Sequence, residues 1–341
     1  MEVILPNRDE WFAENEGFPR PDWRSISDWI DSNIPQSDWF EAWHQASLQW
    51  LGRLKGRLKG EYEISESRNF VLLAPENVEQ DKKVTAFLES TLRQVLVALA
   101  DMAADEGYGK HAVLVFGTLD EYYAYIAHFY PDCREINMSS GVFLHDDYMH
   151  FVTTVDGQSQ LAPVLVHELT HNCLAHLPLP AWLNEGLAMT LENAIAGSAR
   201  FELDRESVEK HQAFWDEETI QEFWSGQSFH RTDDGSELSY HLSQVLMHRI
   251  HFAVSLTSDR FRAFVQHSDY KDAGDAAARQ YLNLDLATIV EDFLGPGHWT
   301  PRPESWKDTP PSSAEVVKDA RKMTQRGVAA NLEKAFLVFR T

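Results

Sequence analysis

Cysteine is scarce in this 341-residue chain, which has two, Cys133 and Cys173. Two isolated thiols make neither a disulfide framework nor a thiolate metal site, and a secreted chain of this length often carries more. No run of 18 apolar residues occurs, so no membrane span and no membrane partner are expected. Positive charge is also short, with 30 Lys and Arg against 53 Asp and Glu and a net charge of −23. That balance argues against a nucleic-acid partner, because such binding rests on basic patches. The one basic run, GRLKGRLKG at 52–60, reads as a helix end and linker. The opening MEVILPNRDEWFAENEGF has neither the basic nor the long apolar part of a signal peptide, so the cytoplasm is the expected setting. No internal repeat is visible.

Tryptophan, by contrast, is abundant near the start: Trp11, Trp23, Trp29, Trp39, Trp43 and Trp50. Trp39, Trp43, Trp50 and Leu54 recur at helical spacing, so residues 1–60 read as an acidic, tryptophan-rich helical extension packed as a cap. A domain over 61–295 follows. Its first part, 61–156, alternates strands with helices such as Lys82–Ala100, and 157–295 is mostly helical. GPGHWTPRPESWKDTPPSS then reads as a Pro-rich connector, and 296–341 ends in a helix over about Ala314–Phe339. The fold class is α+β. Either extension can shield a cleft or bind a partner.

Inside the helical part stands VHELTH, residues 166–171. It lies in LAPVLVHELTHNCLAHL, whose apolar residues recur at near-helical spacing and whose Pro163 suits a first helical turn. At ~100° per residue His171 lies only ~40° around the axis from His167, one turn on, so both imidazoles can bind one ion. Glu168 follows directly and reaches a water held beside them. Two histidines and a glutamate on so apolar a helix are costly to bury without a partner, and a metal is that partner. H-E-x-x-H is the pattern of a zinc hydrolase, with two ligands and a general base.

Zinc needs a third protein ligand, and the fourth position takes water. His176 is ~180° around the helix from His167 and faces away. A metzincin would carry Gly at 174 and His at 177, where this chain has Leu at both. Glu185, in PAWLNEGLAMTLE, is the expected ligand. Pro178 and Pro180 break the first helix, Pro180 can open a second, and an antiparallel return brings Glu185 back towards the histidines. Glu192 lies two turns further on, supporting the site or facing solvent. Cys173 turns away from the metal face and is expected to be a packed thiol.

HELTH followed by LPAWLNEGLA resembles the gluzincin metallopeptidases, and the short gap from His171 to Glu185 is most similar to their peptidase-MA-like members. The resemblance covers roughly residues 62–295. YEISESRNFVLLAP at 62–75 resembles an opening strand, and 112–127 a second strand and helix. GVFLHDDYMHFVTTV resembles the hairpin before the active-site helix, and 274–295 the closing helices. It implies a zincin-like domain, with a small mixed sheet plus an active-site helix, that hydrolyses peptide or protein substrates with one Zn2+ per chain. Zinc would lower the pKa of its water towards ~7, and Glu168 would pass the proton to the leaving amine. The resemblance further implies a downstream donor to the oxyanion. GSELSYHLSQVLMHRI offers Tyr240 and His241, of which Tyr240 is preferred, while His241, His248 and His251 read as surface or packing residues. Zincins bind peptide along a sheet edge, and Tyr148–Val155, paired through an Asp146–Asp147 turn to Gly141–Leu144, is the expected edge. Two other readings stay open: a catalytically silent zinc-binding scaffold that binds partners, and a zinc hydrolase of non-peptide amides.

Overall fold

The computed structural model describes residues 4–15, 17–76, 78–104, 109–129, 141–144, 148, 150–155, 161–197 and 203–306. Cys133, the Asp146–Asp147 turn and the expected C-terminal helix fall outside them. The fold is mixed α+β. Among the described residues no helix is long and apolar enough to cross a membrane. Two units emerge. One takes the chain to Arg93 and then from 109 to Glu168; the other takes Gln94 to 104 and Leu169 to 306.

The first unit begins with a two-stranded hairpin, β1 (Phe12–Asn15) and β2 (Phe18–Pro21), where the tryptophan spacing leads one to expect helices alone. The helices α1 (Trp23–Asn33) and α2 (Trp39–Lys55) come next. Asp22 starts α1 by accepting the amide of Ser25, an N-cap that satisfies an otherwise orphaned donor. The sheet contains β3 (Tyr62–Glu66), β4 (Phe70–Pro75), β5 (His111–Phe116), β6 (Gly141–Leu144) and β7 (His150–Thr154), in the order β3-β4-β5-β7-β6. The β4–β5 and β5–β7 pairs are parallel, whereas β3 and β6 run antiparallel to their neighbours. The central runs FVLLAP and HAVLVF are almost wholly apolar, as strands covered on both faces require. Helices α3 (Val78–Leu99) and α4 (Leu119–Phe129) belong to the crossovers.

The expected edge strand, Tyr148–Val155, is instead internal to the sheet. His150–Thr154 lies between β5 and β6 and is buried throughout, so β6 and β3 are the edges.

Tryptophan explains why residues 1–60 fold with the sheet. Trp23, Ile26, Ile30, Trp43, Trp50 and Leu54 share one core with Val71, Leu73, Leu114, Phe116 and Val152 from one sheet face. Each fully buried aliphatic side chain there contributes on the order of 2 kcal/mol. Trp23 stacks on Tyr148 with centroids 5.0 Å apart, and Trp50 meets the His150 ring edge-on at 4.9 Å. His150 Nδ1 lies 2.9 Å from the Tyr148 carbonyl, which can only accept, so Nδ1 carries the proton. Its Nε2 then accepts from the Tyr125 hydroxyl at 2.9 Å. Burial drives the His150 pKa down to about 4.

The second unit is helical. Of α5 (Leu161–Leu174), which the division crosses, it holds the part from Leu169. Then come α6 (Ala181–Ala196), α7 (Arg205–Phe214), α8 (Thr219–Ser225), α9 (Gly235–Ala253), α10 (Asp259–His267), the single turn α11 (Asp275–Ala277) and α12 (Leu286–Leu294). Residues 296–306, expected as the start of a free connector, are instead a strap bound to α8. Gln221 donates to the Thr300 carbonyl and accepts from the Arg302 amide and Trp306 Nε1. Trp224 Nε1 donates to the Trp299 carbonyl, and Trp299 itself is buried. Indole burial outweighs the loop signal of the prolines.

Candidate metal centre

Helix α5 is buried around much of its circumference. Leu165, Val166, Leu169, Thr170, Asn172, Cys173 and Leu174 are buried. His167, Glu168 and His171 are only half-buried, so the three polar side chains share the accessible stripe that the i, i+1, i+4 spacing dictates. Pro163 sits in the first turn, where a missing N–H leaves no bond unmade. Cys173 is a fully buried thiol, as expected.

The helix ends at Leu174, and Pro180 stands at the N-cap of α6, accepting the amides of Leu183 and Asn184. Six residues thus separate the two helices, a short return. Trp182 fixes the first turn of α6: its indole is fully buried and its Nε1 donates to the Ala273 carbonyl at 2.9 Å. Three residues on, Glu185 Oε2 lies 3.4 Å from His171 Nε2, with side chains 19% and 12% exposed. His167 completes the group, with one ligand atom from each residue and all within 4.8 Å of one another. Among the described residues this is the one such group of His, Cys, Asp and Glu.

The donor set fits zinc. Imidazole and carboxylate ligands at ~2.0–2.2 Å, held at a tetrahedral angle, stand about 3.4 Å apart. That is the spacing of His171 and Glu185. Among the described residues the group offers three protein donors, two imidazoles and one carboxylate. Thiolate ligation is absent from the group, so zinc or another borderline cation suits it better than a soft one.

The other residues considered from the sequence lie elsewhere, and the sequence reading leaves one gap. His176 lies in the turn after α5, outside the group. Glu192 stands two turns beyond Glu185 on α6 and is also outside it. His248 and His251 are exposed, and the His241 ring faces that of His211 at 6.0 Å. Tyr240 is half-buried on α9, its ring edge-on to Phe229 at 5.3 Å. Helix α9 packs along α6, so the element carrying Tyr240 neighbours the one carrying Glu185. The gap is Gly186. In a helix interior glycine costs roughly 0.5–1 kcal/mol relative to alanine, so a glycine directly after a candidate ligand is itself a signal that close packing is needed.

No family model and no curated protein sequence matches this chain.

Proposed function

We propose that this chain is a zinc-dependent peptidase of the gluzincin type, with His167, His171 and Glu185 as metal ligands and Glu168 as general base. The observation that carries the reading is the gathering of two imidazoles and one carboxylate within 4.8 Å of one another, with His171 and Glu185 at the 3.4 Å spacing of two ligands on one tetrahedral ion. A small mixed sheet whose last strand precedes α5 supports a zincin-like domain.

Zinc, when bound, supplies a Lewis acid that polarises the scissile carbonyl and brings water to reactivity near neutral pH. The remaining steps belong to the chain. Glu168, adjacent to His167 and half-buried, takes a proton from water as its oxygen bonds to the carbonyl carbon. It then returns that proton to the amine nitrogen as the C–N bond breaks, so the carboxylate is regenerated. Tyr240 is the proposed donor to the oxyanion. The substrate is a peptide or protein, lying along the edge strand β6 rather than β7. The proposed setting is the cytoplasm.

An intact Glu168 favours catalysis over a silent scaffold, since a purely structural site has no use for a general base. The test is cleavage of casein by purified protein. Chelation should abolish it, zinc should restore it, and Glu168→Gln should lower turnover about 100-fold or more while zinc content holds at one per chain. Cleavage indifferent to both chelator and Glu168→Gln would refute the proposal.

A further inference from the structure

The group needs Glu185 held in place, and the packing around the next residue accounts for how. Helix α6 lies against α9, and at their contact Gly186 faces the Ser243 carbonyl and the side chain of Met247. A Cβ at 186 would fall 2.5 Å from Met247 Cγ, 3.4 Å from its Sδ and 3.3 Å from Ser243 O. The first of these is closer than carbon atoms approach, so an added methyl must push something aside. The Ser243 contact is a backbone carbonyl oxygen of a fully buried residue whose hydroxyl donates to the Ser239 carbonyl, so α9 yields little there. Met247 is also buried.

Neither does α6 have slack at its start. Trp182 is clamped through its indole to Ala273, and Leu183 is fully buried. On the far side Thr190 donates its hydroxyl to the Gly186 carbonyl at 2.6 Å, tying that carbonyl into the helix. With its first turn clamped, α6 can relieve a bulky residue at 186 chiefly by rotation or displacement of the segment that carries Glu185.

We infer that Gly186 is a positioning residue: its missing side chain seats α6 against Met247 and Ser243 so that the Glu185 carboxylate stands 3.4 Å from His171 Nε2, close enough for both to hold one ion. The inference rests on the metal reading above. It assigns to a residue without chemistry the control of metal affinity, because a carboxylate displaced by about 1 Å leaves the narrow range of zinc–oxygen distances.

Competition against a chromophoric chelator measures zinc affinity in wild type, Gly186→Ala and Gly186→Ala/Met247→Ala, and metal-free melting curves are recorded alongside. Gly186→Ala should weaken zinc binding tenfold or more. The double variant, which removes the opposing Cγ, should return to within about threefold of wild type. Met247→Phe is the second probe, for the case where Gly186→Ala does not fold. Its rigid ring crowds the same place from α9 and should weaken zinc binding in the same direction. A merely structural role would lower the melting temperature and leave zinc affinity alone, and that result in a folded Gly186→Ala or Met247→Phe overturns the inference. Wild-type protein that binds no zinc would refute the metal reading instead, so the two failures are distinct.

Discussion

His150 shows what a single buried side chain does to the stability of this protein. Full burial disfavours its charged form and holds its pKa at about 4, against about 6.5 when solvated, although the hydrogen bond to the Tyr148 carbonyl pulls the other way. The unfolded chain therefore binds the proton first. The stability that His150 contributes is fully present above about pH 6.5 and is lost as pH falls towards 4, an effect on the order of 3 kcal/mol. Urea unfolding at pH 7.5 and 4.5 should show a smaller loss on acidification for His150→Gln than for wild type. Equal losses would mean that His150 does not carry the effect. At this scale the candidate metal group of His167, His171 and Glu185 is the most legible part of the chain. The positions of His167 and His171 follow from helix period alone, and Glu185 from two prolines that force a short return. His150 and Gly186 were not legible in the same way. Their roles depend on Tyr125, Trp50, Ser243 and Met247, which local periodicity cannot bring to them.

Among elements, strands and helices with strong patterns appear where their residues predict them, from the apolar runs of β4 and β5 to the amphipathic α2. What pattern could not supply is who pairs with whom. Tyr148–Val155 and Gly141–Leu144 read as two halves of a hairpin, and only the ladder between His150–Thr154 and His111–Phe116 makes the former internal and the latter an edge. Proline misled in a different way at 296–306, where composition suggests a linker and buried Trp299 holds a strap. Gln221 is the hub of that strap, with three hydrogen bonds to it. Gln221→Ala should cost about 1–3 kcal/mol by leaving those partners unmatched. Limited proteolysis should then cut within 296–306 at a concentration of protease that spares wild type. An unchanged melting temperature and cleavage pattern would show that the strap is held by its tryptophans alone.

For the whole molecule, the tryptophan-rich segment is the main lesson. Its composition and acidity set it apart in sequence, yet Trp23, Trp43 and Trp50 sit in one core with the sheet. A chain beginning at residue 61 should therefore lose cooperative unfolding by urea, since the sheet face bearing Val71, Leu114 and Val152 would be stripped of its cover. A sharp transition in such a truncated protein would show that the sheet folds without it. Whether His167 and His171 bind one zinc ion is open to direct measurement. X-ray absorption at the zinc edge of zinc-loaded protein tests it most directly. The account predicts four light ligands at ~2.0–2.2 Å, with the multiple-scattering signature of two imidazoles that falls to one in His171→Ala. Thiolate sulfur at ~2.3 Å, or an imidazole signature unchanged by His171→Ala, would contradict it.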